Sequence, residues 1–373
     1  MRGWILGYLA AQLLYWAGYG VYYTYTRMYV EETMGLNYSF IALVAAAESA
    51  PLLLSLATGY AADRLGRRRA MLLGFGEAGA TLPMGLVGVR RLPLLAACAS
   101  SFHSIAYTAY SGALLAGVSG SGYLYSVIAI GGSVGWALGG LAAGLLHGLG
   151  ARVEYAVAGL LVAAGYSVAV ASTPGHLEAS EKPGLRDVAN GLVRVAPLSA
   201  SMILSASALS LFANSISLKM KAEIGNPLLY SLVFSTATAL IGAAVRPLAG
   251  AASDRIGHLR LYALSTLAYI PLSYAMTLAH GAMLAALWLI PIYPFRDVGA
   301  MMSLSTRLPR SLQATAAGIA SFSFSLSGFL LVPLSALIRG RGLSTVEYAT
   351  IALLASSLAA LAPYLRWGRR ASN

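Results

Sequence analysis

Ionisable side chains fall inside long apolar runs, among them Glu48, Glu77, His103, Arg296 and Asp297. Charged groups are costly in hydrocarbon and default to functional roles there. Burial disfavours the charged form of a carboxylate, so a carboxylate in a dry cavity can load and release a proton. Glu48 and Asp297 lead as proton-coupling candidates, with Glu77 and His103 beside them. The competing role for Glu48 and Asp297 is a structural ion pair, with Arg296 or another basic group as partner. His103 either shuttles protons or hydrogen-bonds a substrate. Arg296 and Asp297 are adjacent, so on a helix they point about 100° apart.

Polar residues also recur at helical spacing. Tyr8, Gln12, Tyr15, Tyr19, Tyr22 and Thr26 follow steps of three or four and share one face. That face lines a cavity or packs inward. Tyrosines of an interfacial belt would sit at the ends of a span, whereas Tyr15 and Tyr19 are central. A second stripe is Ser207, Ser210, Asn214, Ser217 and Lys221; a third is Ser100, His103, Tyr107 and Tyr110, with Ser104 beside it. Serines also join helices within a membrane.

The elements that carry these residues are membrane helices. The chain is 58% hydrophobic and 10% charged, with mean hydropathy +0.71. A soluble domain carries roughly 25% charged residues. The 373 residues hold about a dozen apolar runs of about 20 residues, the length that crosses a bilayer. The expected spans are 4–30, 38–62, 70–89, 93–117, 122–148 and 153–172, then 195–221, 227–252, 260–279, 281–303, 312–338 and 345–366. The fold class is all-α integral membrane, with two six-helix bundles. The expected domains are 1–172, a linker at 173–194 ending in a short amphipathic piece from Leu185, and 195–373. No cleavable signal peptide is expected, because the first run is too long and lacks a cleavage pattern.

Charge sets the orientation. One face carries fifteen Lys and Arg: Arg2, Arg64, Arg67, Arg68, Arg69, Lys182, Arg186, Arg194, Arg255, Arg260, Arg307, Arg310, Arg366, Arg369 and Arg370. The other carries eight: Arg27, Arg90, Arg91, Arg152, Lys219, Lys221, Arg339 and Arg341. Positive residues gather on the cytoplasmic side, so both termini and the linker are expected there, in a cytoplasmic membrane. The net charge of +12 flanks the spans rather than forming a soluble patch, which argues against nucleic acid. The single cysteine, Cys98, excludes an intrachain disulfide and a Cys-based metal cluster. There is no phosphate-cradling Gly-x4-Gly-Lys-Ser/Thr loop and no metalloprotease motif. An enzyme, a cofactor and a metal site are not expected. The energy source is then an ion or solute gradient.

One motif occurs twice. Gly59-x3-Asp63-Arg64-x-Gly66-Arg67-Arg68 returns 191 residues later as Gly250-x3-Asp254-Arg255-x-Gly257-His258-Leu259. A motif repeated at half-length points to two homologous bundles. Gly66 permits a tight turn and Gly59 close packing one turn above it. Asp63 can accept hydrogen bonds from the N-terminus of a neighbouring helix. The arginines can pair with acids and with lipid phosphates. In the fifth span, Gly131, Gly132, Gly135, Gly139, Gly140 and Gly144 suit close helix packing, with a hinge role open beside it.

The first copy of the motif resembles the loop between helices two and three of the major facilitator superfamily. The second resembles that family's looser repeat between helices eight and nine. Arg246-Pro247-x2-Gly250-x2-Ser253-Asp254-Arg255 and Arg307-Leu-Pro309-Arg310 are also similar to it. Gly135-x3-Gly139-Gly140 resembles a fifth-helix motif of its antiporters, but Trp136 stands where proline is usual, so antiport is not inferred. The resemblance implies that Asp63 meets helix eleven, and that Gly59, Asp63, Arg64, Gly66, Arg67, Arg68, Asp254 and Arg255 latch the bundles on the cytoplasmic side. Arg246 belongs to this latch or to the substrate site. The resemblance also implies that helices one, four, seven and ten line the cavity. Gln12, Tyr15, Tyr19, Tyr22, Tyr107, Asn214 and Arg296 are then the cavity candidates.

The expected function is a secondary active transporter of a small organic solute, working by rocker-switch alternating access and coupled to protons. Export of drug-like or metabolite compounds leads. Uptake of a small organic anion through Arg296 or Lys221 is the alternative, and a lipid-handling or non-transporting protein on the same fold is the other class. The expected partners are the solute, protons and membrane lipids, with the chain a monomer.

Overall fold

Glycine and proline punctuate the apolar runs, and several helix breaks fall at them, as at Pro51, Gly66, Gly257 and Pro291. The computed structural model describes residues 2–34, 38–178, 182–226, 229–230, 232–338 and 342–367. Every regular element among them is helical. Arg339, Arg341, Arg369 and Arg370 of the charge balance lie outside the described residues.

α1 (Arg2–Met34) carries the tyrosine stripe. α2 (Tyr38–Ser49) passes through a 3-10 turn, Ala50–Leu54, into α3 (Ser55–Leu65). Pro51 sits in that turn, and its ring cannot donate the helical hydrogen bond. α3 stops at Gly66, whose φ of 100° strains any residue with a Cβ. α4 (Arg67–Met71) and α5 (Gly74–Thr81) make the third run, closed by a 3-10 turn at Leu82–Leu86 around Pro83. α6 (Leu92–Val118), α7 (Gly122–Leu146) and α8 (Ala151–Ser172) complete the first half.

α9 (Leu185–Ile224) is 40 residues long. The amphipathic piece expected as part of the linker is thus the start of the seventh-run helix. Pro197 inside it removes one backbone hydrogen bond without ending it. A π-helical turn, Leu232–Ala237, leads into α10 (Thr238–Ile256). Gly257, at φ 92°, turns the chain into α11 (His258–Leu278). The tenth run is split into α12 (Gly281–Trp288) and α13 (Tyr293–Arg307) on either side of Pro291. α14 (Gln313–Ile338), α15 (Leu343–Ala360) and α16 (Ala362–Trp367) follow. Among the described residues, seven helical stretches are long and apolar enough to cross a membrane. α1 is not one of them, because its tyrosines lower its hydropathy.

α1 packs along α7 and α8. A Cβ at Gly131, Gly135 or Gly139 would run into the carbonyl oxygen of Leu9, Leu13 or Ala17. The backbones approach closely because small residues recur every four positions. Between the halves, α7 packs on α10, and α14 packs on α3 and α6.

The largest apolar cluster joins the halves, taking Ala62, Met71 and Leu114 from one and Val298, Met302 and Ala314 from the other. It lies toward the end carrying the Gly66 and Gly257 turns, the turn end. Toward the far end the core divides. One cluster draws on Tyr22, Tyr25, Met84 and Tyr155 of the first half, another on Phe212, Met276 and Leu284 of the second.

Candidate functional site

At the turn end, Asp63 closes α3 onto the start of α14. Its carboxylate accepts hydrogen bonds from the Ala314 and Thr315 backbone N–H groups at 3.0 and 2.8 Å and from Thr315 Oγ1 at 2.9 Å. These are orphan donors of a helix N-terminus, where the macrodipole favours an anion. Arg67 donates to the same carboxylate from Nε and Nη2, at 2.9 and 2.8 Å. Its remaining donors reach the Leu177 and Arg310 carbonyls. Arg67 and Asp63 are both buried, and the ion pair is fully enclosed. A Cβ at Gly59 would sit 2.5 Å from the Ala314 carbonyl oxygen, so only glycine allows the approach.

Asp254 makes the related contact with α7, accepting from the Gly122 and Tyr123 N–H groups at 2.6 and 3.0 Å. It is exposed, as are Arg64, Arg68 and Arg255. His258, at the position of Arg67, bonds Ser253 Oγ instead.

Deeper in the molecule the carboxylates separate by their partners. Glu48 is held by Arg27 through two hydrogen bonds, at 2.7 and 2.5 Å, and accepts a third from the Tyr22 hydroxyl at 2.8 Å. Arg27 also lies 3.6 Å from the Tyr23 ring centroid. Arg27 thus belongs to a pair within the first half, rather than to a terminal loop. Asp297 is paired with Arg246 at 2.8 Å, and Arg246 Nε donates to Ser133 Oγ of α7 at 2.9 Å. Neither carboxylate takes Arg296 as its partner. Arg246 lies two turns from Asp254 and ties α10, α13 and α7 together.

Glu77 differs. It is 4% exposed, and among the described residues no lysine or arginine is bound to it. Oε1 accepts from the Tyr15 hydroxyl at 3.0 Å and lies 3.3 Å from His103 Nδ1; Oε2 accepts from the Tyr166 hydroxyl at 2.8 Å. Tyr15 Oη is also 2.5 Å from His103 Nδ1. Glu77, His103, Tyr19 and Tyr22 line a cavity of about 20 Å³, room for about one water. A carboxylate, two hydroxyls and an imidazole thus share one hydrogen-bonded cluster.

The stripe on α1 turns inward. Tyr8, Gln12, Tyr15, Tyr22 and Thr26 are buried, with Tyr8 bonded to Thr173 Oγ1 and stacked on Tyr110. The more exposed positions are Trp16, Tyr23 and Arg27, one residue on from Tyr15, Tyr22 and Thr26, together with Tyr19 of the stripe itself. Trp16 and Tyr19 both pack against Trp136 of α7. Tyr107 is partly exposed and stacks on His103 with centroids 4.8 Å apart. In the second half Asn214 is exposed and donates to the Ser210 carbonyl. Arg296 donates to Ser205 Oγ at 2.7 Å, while its Nε is buried without a partner. Among the described residues no group of three or more His, Cys, Asp or Glu is placed to hold a metal ion.

Sequence reasoning missed three groups. Leu177 and Glu178 of the polar linker dock on the turn: Leu177 is buried, and Glu178 accepts from the Arg67 and Arg68 N–H groups at 2.7 and 2.8 Å. Their apolar–acidic order is a faint signal. Glu154 is fully buried, and among the described residues neither carboxylate oxygen is bonded. Lys219, counted as a loop charge, donates to the Thr277 and Ala279 carbonyls that end α11.

A model of the Major Facilitator Superfamily matches residues 8–370. No curated protein sequence matches the chain significantly. Solved structures share the fold. The human organic anion transporter MFSD10 (TETRAN) superposes with TM-score 0.75 at 14% identity, covering 96% of this chain and 99% of that one. A bacterial homologue of the iron transporter ferroportin, in an outward-facing state, gives 0.74 at 14% identity, covering 99% and 100%. A variant of the E. coli fucose:proton symporter FucP gives 0.67 at 12% identity, covering 96% and 98%.

Proposed function

Because the chain belongs to the Major Facilitator Superfamily, a family of secondary transporters, we propose that it moves a small organic solute across the cytoplasmic membrane by proton-coupled alternating access. Twelve spans form two six-helix bundles, 1–172 and 195–373, which rock about a central site as a monomer in lipid. The turn end faces the cytoplasm, together with both termini. Joined cores at the turn end and divided cores at the far end suit an outward-facing state. Export is the favoured direction.

The observation that carries the coupling is the contrast among the carboxylates. Glu48 and Asp297 each have an arginine within 2.8 Å, and neutralising either carboxylate would strand that buried cation. Glu77 has hydroxyls and an imidazole instead, so its proton occupancy can change without stranding a cation. Glu77 is therefore the coupling residue in this reading, with His103 and Tyr15 passing the proton.

The experiment is flux in proteoliposomes, using the solute that most raises Tm in a ligand screen. A pH gradient drives wild-type accumulation. Glu77→Gln keeps solute exchange at equal pH and loses gradient-driven accumulation. Gradient-driven flux at the wild-type rate in Glu77→Gln would remove Glu77 from the coupling. A second reading, a small organic anion as solute, is favoured by the unpaired Arg296.

A further inference from the structure

Arginines in apolar surroundings need an anion, because an uncompensated charge in low dielectric is costly. Within the spans, Arg27 has Glu48 and Arg246 has Asp297, each with short, direct hydrogen bonds. Arg296 has none. Among the described residues no carboxylate bonds it, and Asp297 beside it is committed to Arg246. Among the described residues its polar contact is Ser205 Oγ, at 2.7 Å. Its Nε is buried with no acceptor.

Arg296 lies 11 residues from Arg307 at the end of α13, about 16 Å along a helix. That depth prevents it from reaching the turn end. The walls around it are aromatic: the guanidinium carbon is 6.0 Å from the ring centroids of both Tyr262 and Phe324. Tyr262 is fixed by hydrogen bonds to Ser201 and Ser205, whereas Phe324 is exposed at 43%.

We propose that Arg296 is the anion-binding residue of the transported solute's site, and that the solute is a monoanion carrying a planar ring. The carboxylate or sulfonate would accept the free Nε–H and an Nη–H as a bidentate pair, and the ring would lie along Phe324 and Tyr262. Ser205 orients the guanidinium. The C-terminal half thus holds the solute's charge, while the proton site at Glu77 lies in the N-terminal half. This inference rests on the transporter reading and names its substrate class.

The test uses the full chain in lipid nanodiscs with benzoate, benzamide, acetate and chloride as probes, read by calorimetric binding and by Tm. Benzoate binds and raises Tm; benzamide, acetate and chloride bind at least about tenfold more weakly. Arg296→Gln weakens benzoate by about tenfold or more, as expected for losing a charge-assisted pair, and Arg296→Lys loses less. Without ligand, the Tm of Arg296→Gln equals or exceeds that of the wild type, since an unpaired charge has been removed. A structural arginine would instead give a lower Tm. Equal binding of benzoate and benzamide, or unchanged benzoate binding by Arg296→Gln, would overturn the proposal. Gradient-driven flux of a neutral solute in Arg296→Gln would also overturn it and leave the transporter reading standing. Benzoate binding without any solute flux would instead sink the transporter reading and leave the anion site.

Discussion

Asp63 and Asp254, 191 residues apart, each bind the N-terminus of a helix in the other half of the chain, but only Asp63 does so around a buried arginine. Asp63 shares its carboxylate between α14 and Arg67 inside the protein. Asp254 meets α7 at the surface, and His258 stands where an arginine would. Among the described residues, the apolar clusters toward the far end stay within one half each.

Removing the charge should therefore be unequal between the copies. Asp63→Asn leaves Arg67 buried without a counter-ion, which costs about 3–5 kcal/mol. Asp254→Asn loses an exposed anion at a helix start, worth about 0.3–1 kcal/mol. Thermal unfolding in detergent should show a large fall in Tm for the first and a small one for the second. Equal falls would mean that the two copies share the load.

The glycines of α7 make a similarly sharp contrast. Gly139→Ala drives a methyl group into the Ala17 carbonyl of α1, whereas Gly144 has nothing within 4 Å of its Cβ position. Overpacking of this kind costs about 1–3 kcal/mol, so Gly139→Ala should lower Tm. Gly144→Ala should leave it unchanged or raise it slightly, since alanine loses less backbone freedom than glycine in a helix. A harmless Gly139→Ala would show that α1 and α7 can separate without cost.

What the sequence disclosed follows from how local each feature is. Gly66 and Gly257 are readable because a turn at φ near 100° tolerates little else, and the Asp positions beside them fix the register of the repeat. Partner choice is less local. Helical periodicity places Glu48 and Asp297 on faces, but Arg27 and Arg246 reach them only through the packing of separate helices. The tyrosine stripe was visible as a stripe, and which way it faced was not. A rotation of one residue, about 100°, separates the buried Tyr15 and Tyr22 from the more open Trp16 and Tyr23. Glu178 was hidden in a segment whose polarity reads as solvated, although it binds Arg67 and Arg68.

The Arg27–Glu48 pair tests whether a membrane-buried charge is there for structure or for transport. Glu48→Gln alone strands Arg27, and Arg27→Met alone strands Glu48; each should destabilise by about 3–5 kcal/mol. Removing both, as Arg27→Met with Glu48→Leu, eliminates the buried charges together, and replacing such a pair by apolar residues is often neutral. The double variant should thus recover most of the lost Tm, so its cost falls far below the sum of the two singles, a coupling energy of about 5–9 kcal/mol in the cycle. Its gradient-driven flux should recover with its stability, because Glu77 remains in place with Tyr15, Tyr166 and His103. A stable double variant that no longer uses the pH gradient would return the coupling role to Glu48.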